Sequence, residues 1–275
     1  MKRILVALAA TLTAGTAMAA DVTYMEPTPA APMQAMPADG WAGLYLGGQI
    51  GYGFGSTGLY VLDRNRDGEF GDYLPAFDPA VNPAAGGFTG DFEDGFIGGV
   101  HIGYDWQAGN LVYGVLADLN FADLTDQQTG FSATPAFYTV ERELDYLATL
   151  RGRIGYAFSD TMLAYATGGL AYGDVETRFL TNTPAAFVVS GGQDSDWGYT
   201  VGAGLETKVT SNISFGLEYL YTNLGGNDFN VNLSGAAGTG AGNAFGTGGA
   251  NSTDSRGSDD DFDFHTISAK ISYRF

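Results

Sequence analysis

The sequence predicts an all-β chain, folded as an eight-stranded antiparallel transmembrane β-barrel. Three observations carry this: the alternation of the final segment, the recurrence of such segments through the chain, and connections that alternate between short and long. In the final segment, Ile267, Ala269, Ile271, Tyr273 and Phe275 fall on one face. Thr266, Ser268, Lys270, Ser272 and Arg274 fall on the other. A strand sends successive side chains to opposite faces, so one face here is apolar and the other polar or cationic. The apolar face would meet a core in a soluble sandwich and lipid in a membrane barrel. The rest of the chain decides between the two.

Composition narrows the choice. The 275 residues allow one β domain or two small ones. There is no cysteine, so no disulfide, thiol nucleophile or thiolate metal site is available. A formal net charge of −19 excludes a basic nucleic-acid footprint. Glycine is abundant at 42 residues and aromatics make up 13%. That pairing fits a barrel, where glycine makes room for large neighbours and aromatics sit at membrane interfaces.

Residues 1–19 read as a secretory signal peptide. Lys2 and Arg3 precede the apolar stretch from Ile4 to Leu12, and Ala17-Met18-Ala19 is a small-x-small cleavage site. No later apolar run reaches helix-spanning length. Strands are then the remaining way across a bilayer, because every backbone polar group must be paired inside lipid. Residues 20–40 carry Pro27, Pro29, Pro32 and Pro37 and read as an extended periplasmic linker. The barrel domain is expected over 41–275.

Eight alternating segments follow, near 43–54, 96–107, 111–121, 144–158, 162–175, 197–209, 213–224 and 263–275. Gln107-Ala-Gly-Asn110, Ser159-Asp160 and Thr210-Ser-Asn212 form hairpin turns between them. The remaining connections, 55–95, 122–143, 176–196 and 225–262, are long. Short turns at one end and long loops at the other is the asymmetry of outer-membrane barrels. Pro75, Pro79, Pro83, Pro135 and Pro184 all fall between segments, as a hydrogen-bonded ladder requires.

Alternation assigns a lipid face. It comprises Phe96, Val100, Ile102, Tyr104 and Trp106 in the second segment, and Leu111, Tyr113, Val115, Leu119 and Phe121 in the third. Tyr146, Leu150, Ile154, Tyr156 and Phe158 follow in the fourth, and residues of like kind in the sixth and seventh. Segment five is ambiguous, since one extra turn residue would exchange its faces. Aromatics gather at segment ends. Trp106, Tyr113, Tyr156, Phe158, Tyr273 and Phe275 lie towards the turns, and Tyr146, Trp197, Tyr199 and Tyr221 towards the loops. Two girdles around an aliphatic band is an interfacial pattern.

The opposite face is assigned Asp105, Asp118, Asp145, Glu206 and Glu218, against Arg151, Arg153, Lys208, Lys270 and Arg274. Gly47, Gly51, Gly103, Gly114, Gly202 and Gly204 accompany them. The interior is near neutral, so the excess acid belongs in the loops, as Asp194, Asp196 and Asp259-Asp260-Asp261 illustrate. A balanced set in a small barrel means ion pairs filling the lumen, with Asp118, Arg151, Arg153, Glu206, Glu218 and Lys270 as the network.

Several motifs resemble the opening strands of a Gram-negative family. They are Trp41-Ala-Gly-Leu-Tyr-Leu-Gly-Gly48, Gly99-Val-His-Ile-Gly-Tyr-Asp-Trp-Gln107, Leu150-Arg-Gly-Arg-Ile-Gly-Tyr156, Tyr165-Ala-Thr-Gly-Gly-Leu-Ala-Tyr-Gly173 and Gly202-Ala-Gly-Leu-Glu206. The chain resembles the OmpA-like, porin-family outer-membrane β-barrels of alphaproteobacteria from Trp41 to Phe275. The resemblance implies an eight-stranded barrel with a surface or structural role and no catalytic residues. It differs in its long 55–95 and 225–262 connections, and no peptidoglycan-binding domain is expected after the barrel.

Two functions are expected from this reading. The first is a structural outer-membrane protein with a filled lumen and acidic extracellular loops. The alternative is a narrow channel for ions or small solutes. The expected partners are outer-membrane lipids, lipopolysaccharide and the barrel-assembly machinery, the last recognising Tyr273 and Phe275. No enzyme activity is expected. His101 is read as a lumenal hydrogen-bonding group placed diagonally to Asp118. His265, on the lipid-facing parity near the loops, lacks the serine that a lipid-modifying pair requires. Gly235–Gly249 is Gly/Ala/Thr-rich without the lysine of a phosphate loop and reads as a flexible surface loop.

One motif points to a metal. Asp63, Asn65 and Asp67 stand at positions one, three and five of a loop with Gly68 at six, matching the first half of an EF-hand calcium loop. The Glu69 carbonyl would be the next ligand. Position twelve is Leu74 rather than Glu. Calcium is the one cofactor this pattern offers, against an acidic surface turn that touches no metal.

Overall fold

The computed structural model describes residues 40–275 except 134–135, 184–185, 193–195, 227–228, 235–244, 246–251 and 260. The expected signal peptide and linker, apart from Gly40, lie outside the described residues, as do Asp194, Asp260 and nearly all of Gly235–Gly249. Thirteen strands are present among those described: β1 (Gly43–Gly55), β2 (Tyr60–Asp63), β3 (Gly87–Glu93), β4 (Gly95–Ala108), β5 (Leu111–Phe131), β6 (Phe137–Ser159), β7 (Met162–Thr181), β8 (Ala186–Ser190), β9 (Asp196–Lys208), β10 (Ile213–Leu224), β11 (Asn230–Ser234), β12 (Thr253–Gly257) and β13 (Phe262–Arg274).

Eight of them close a ring. The antiparallel order runs β5-β4-β1-β13-β10-β9-β7-β6, and β6 pairs back onto β5. Closure leaves no strand edge at membrane depth, which is the condition for a sheet to cross lipid. The ring strands are the eight expected segments. The turns β4–β5, β6–β7 and β9–β10 are short, and Gly109 takes φ +61°, the left-handed position a two-residue hairpin requires.

The exterior is apolar along the ring. Leu46, Ile50, Val100, Ile102, Val115, Leu119, Leu150, Ile154, Val201, Leu217, Ile267 and Ile271 are exposed. Aromatic contacts band this surface at both ends. Trp106–Tyr113 (5.8 Å), Tyr156–Phe158 (5.3 Å) and Tyr273–Phe275 (5.0 Å) lie by the turns. Phe121–Tyr146 (5.0 Å), Tyr172–Trp197 (5.0 Å) and Tyr199–Tyr221 (6.2 Å) lie by the loops. The ambiguous fifth segment is settled: Met162, Leu170 and Tyr172 face out, and Leu163, Tyr165 and Ala171 face in.

Two expectations change. Asp145, assigned to the interior, is exposed. The β6–β7 register shifts between Leu144 and Tyr146, so Asp145 is the extra residue of a bulge and turns outwards. The long connections are also more ordered than loops. β5, β6 and β7 continue to Phe131, from Phe137 and to Thr181, and β3 pairs with the β5 extension. Beyond them, β2-β12-β11-β8 form a separate antiparallel sheet. Tyr60, Leu62, Leu74, Phe77, Tyr138, Val140, Phe229, Val231, Leu233 and Phe245 bury a second core beneath this cap. The 225–262 connection, expected only as a long loop, thus supplies two strands and, through Phe245, a core side chain.

Candidate functional site

The inward side chains stack in layers along the barrel. At the turn end, Trp41 packs with Val112, Ala157, Leu163 and Tyr165. Trp41 precedes β1, and its position is held from three directions. Its amide donates to Gln107 Oε1 (2.5 Å), its carbonyl accepts from Arg274 Nη1, and Lys208 Nζ lies 4.8 Å from its ring centroid. Lys208 itself is half-buried and donates to the Gly40 carbonyl (2.8 Å).

The next layer is an ion cluster. Arg153 donates through Nη2 to Asp105 Oδ2 and through Nη1 to Glu206 Oε2 (3.0 Å). Arg274 Nη2 donates to Asp105 Oδ2 (2.9 Å), and Ser214 Oγ to Glu206 Oε1 (2.6 Å). The Arg153 guanidinium carbon lies 4.8 Å from the Tyr45 ring centroid and 5.0 Å from that of Tyr165. Planar guanidinium groups make such stacked, forked contacts, whereas an ammonium cannot.

A second cluster follows. Arg151 Nη2 donates to Asp118 Oδ2 (2.8 Å) and Glu218 Oε1 (3.1 Å). Lys270 Nζ donates to Glu218 Oε1 (3.0 Å), and Tyr165 Oη to Glu218 Oε2 (2.9 Å). Asp118 also accepts from Thr149 Oγ1 (2.7 Å) and Asn120 Nδ2 (2.8 Å). His101 pairs directly opposite Asp118 rather than diagonally, yet its ring nitrogens meet Gln49 Oε1 (2.7 Å) and Ser272 Oγ (2.9 Å). The structure therefore brings Asp118, Arg151, Glu218 and Lys270 into one cluster, and Arg153 and Glu206 into another.

Glycines create the space for these groups. A Cβ on Gly103 would stand 2.3 Å from Tyr45 Oη, and one on Gly47 would stand 2.7 Å from the His101 ring. The bulk of the interior is thus accommodated by its absence on neighbouring strands.

Above the clusters lies an apolar layer of Ile97, Leu124, Leu144, Leu147, Ala171, Val175, Leu224, Phe262 and Phe264. Past it, Arg142 and Asp126 form a further buried ion pair (2.5 Å) at the base of the cap. The pair was missed in the sequence because Asp126 and Arg142 lie in the 122–143 connection, expected to be a loop, and Leu144 because the β6 bulge changes which parity faces inwards: Leu144 is even-numbered, Leu147 odd.

The other singled-out residues lie elsewhere. In the 63–72 turn, Asp63 is buried, and its carboxylate accepts from the amides of Arg66 (2.6 Å), Asp67 (3.3 Å) and Gly68 (2.8 Å). Asp67 Oδ1 accepts from the Glu69 amide (2.9 Å), and Asn65 Nδ2 donates to Asp67 Oδ2 (2.8 Å). Among the described residues, no three acidic or histidine side chains form a group able to hold a metal. His265 faces outwards, its Nδ1 2.7 Å from Tyr219 Oη, among Phe54, Tyr219 and Tyr221. Tyr273 and Phe275 are exposed on the outer face of the last strand, and the Phe275 amide donates to Leu44 O (3.0 Å).

Comparison with known proteins agrees with this architecture. The family model for the outer membrane protein beta-barrel domain matches residues 7–275. A 31 kDa outer-membrane immunogenic protein of Brucella melitensis is 33% identical over 82% of this chain and 88% of its own length. A 22 kDa outer membrane protein of Rhizobium leguminosarum is 33% identical over 71% of this chain and 70% of its own. Among solved structures, the outer membrane protein OprG from Pseudomonas aeruginosa superposes with a TM-score of 0.50 at 13% identity. The match covers 86% of this chain and 98% of that one, and it is a likeness of fold.

Proposed function

The chain belongs to the outer membrane protein beta-barrel family and resides in the outer membrane, and from that premise we propose that it is a structural surface protein with a side-chain-filled lumen. The observation that carries this is the apolar layer of Leu124, Leu144, Leu147, Leu224, Phe262 and Phe264 lying across the interior above the ion clusters. An ion crossing it would lose its hydration without gaining a polar partner, which costs several kcal/mol even after relaxation (roughly, as for buried ions). Eight strands leave an interior only wide enough for side chains.

The loop end faces outwards and presents acids at its surface, such as Asp67 and Glu69 in the turn after β2 and Asp91 and Glu93 on β3. The Brucella relative carries the description immunogenic, which fits a chain whose loop end is built as a folded surface. Outer-membrane lipids and lipopolysaccharide surround the girdles in this reading, and the assembly machinery recognises the terminal strand. No chemistry is assigned to the chain.

Single-channel recording on the purified barrel in planar bilayers tests this. No steady conductance steps are expected. Reproducible steps of one size, altered by Arg151→Ala, would establish the narrow channel instead.

A further inference from the structure

Between the two ion clusters lies a small enclosed cavity. Tyr45, His101, Arg153, Tyr165, Glu206, Gly216, Lys270 and Ser272 surround it, and about 10 Å³ is open to the centre of a water molecule. Among the described residues the clusters share no ion pair: Arg153 and Arg274 meet Asp105 and Glu206, while Arg151 and Lys270 meet Asp118 and Glu218.

Four facts define what the cavity takes. Tyr45 Oη is buried and has no hydrogen-bond partner among the protein groups. An unpaired buried hydroxyl costs roughly 1–3 kcal/mol, so a partner is demanded. Each cluster is neutral, with two carboxylates against two cations, so no counter-ion is called for. The open volume admits one molecule the size of water, about one probe sphere. Polar partners are at hand, because the Lys270 ammonium uses one of its three donors on Glu218.

We propose that this cavity is a binding site for a single buried water, which satisfies Tyr45 Oη and joins the two ion clusters through hydrogen bonds. It exchanges slowly with solvent, since the Trp41 layer closes one side and the apolar layer the other. The site stands independently of whether the barrel conducts.

Gly216 provides a way to remove the water without touching Tyr45. A Cβ there would stand 3.3 Å from Leu205 O, 3.8 Å from Glu206 Cγ and 3.8 Å from Lys270 Cβ, so a methyl fits with a small adjustment, and since Gly216 is part of the cavity wall beside Glu206 and Lys270 it should narrow the space left for water. The experiment is a double-mutant cycle on the refolded barrel, read as the urea midpoint of unfolding. Gly216→Ala should lower the midpoint when Tyr45 is present. In the Tyr45→Phe background, where no hydroxyl needs a partner, the same methyl should lower it clearly less. An equal loss in both backgrounds would overturn the proposal, because the methyl would then act by crowding alone. Should Gly216→Ala fail to refold, Overhauser contacts in the unmutated barrel decide. A contact from the Tyr45 hydroxyl proton to a long-lived water supports the site, and contacts to protein protons only reject it.

Discussion

Arg274 donates a hydrogen bond to the carbonyl of Trp41, 233 positions earlier in the chain, and so ties the last strand of the barrel to the residue that enters it. The contact closes the turn end twice over. It joins the ends of the ring, and it holds a fully buried indole across the lumen. Trp41→Ala removes that indole and leaves a space among Val112, Ala157 and Leu163. A loss of about 3–5 kcal/mol is expected, as for large aromatic truncations in cores, and urea unfolding of the refolded barrel measures it. A loss below about 1 kcal/mol would show that the indole is not a packed plug.

Arg151 is the centre of the second ion cluster. Arg151→Ala leaves Asp118 without its cation, and Glu218 with Lys270 alone. Breaking a buried pair from one side costs roughly 3–5 kcal/mol, because a charge is left without compensation. Arg151→Ala combined with Asp118→Ala is expected to recover part of the loss. Equal stability of the single variant and the parent would remove the cluster from any account of the fold.

Phe275 is exposed on the lipid face, and its side chain contributes about 2 kcal/mol at most through burial in lipid. That is too little to decide whether a barrel forms. Deleting Phe275 should therefore leave refolding in detergent intact while lowering the amount assembled in cells. Normal outer-membrane levels of the deletion would show that the terminal residue is not read during assembly.

Asp259, half-buried by the cap, has its carboxyl pushed above the usual range by burial. Arg142 opposes the shift, while Asp263 and Asp126 add to it. A raised folded value means that the folded cap binds the proton more tightly than the unfolded chain does. Stability is then lowest at neutral pH and rises as pH falls through the raised value towards the ordinary 3.8. Protection factors for hydrogen exchange in β11 and β12, with the intrinsic pH dependence of exchange divided out, should rise over that window, and Asp259→Asn should abolish the rise. A cap that loosens on mild acidification contradicts the assignment.

Asp63 holds the 63–68 turn by accepting three backbone amides, and Arg66 within it adopts φ 60°, which few side chains favour. Asp63→Ala should open this turn to proteolysis without affecting the barrel. Calorimetry on the same protein distinguishes a metal site from a turn. The carboxylate oxygens are engaged with amides, so no calcium heat is expected. Heat abolished by Asp63→Ala with Asp67→Ala would assign the loop to calcium.

The ring of eight strands, the lipid face and the two girdles were legible in the sequence, because strand alternation is a local property. Tyr273 and Phe275, or Leu150 and Ile154, declare their face from their spacing alone, and short turns declare which strands adjoin. Where the spacing breaks, the reading fails: one bulge at Asp145 turned an acid outwards and hid Leu144, while Arg142 lay in a connection expected to be a loop. Which acid meets which base also lay beyond the sequence, since Arg153 reaches Asp105 on one strand and Glu206 on another. The cap is the fullest case. Its core joins Tyr60, Tyr138 and Phe245, and its sheet sets Leu62 against Ser255, 193 positions apart and in segments without long alternation. Only the closed ring brings those loops together at one mouth, where β2, β8, β11 and β12, each too short to be stable alone, share one core with the β6 extension.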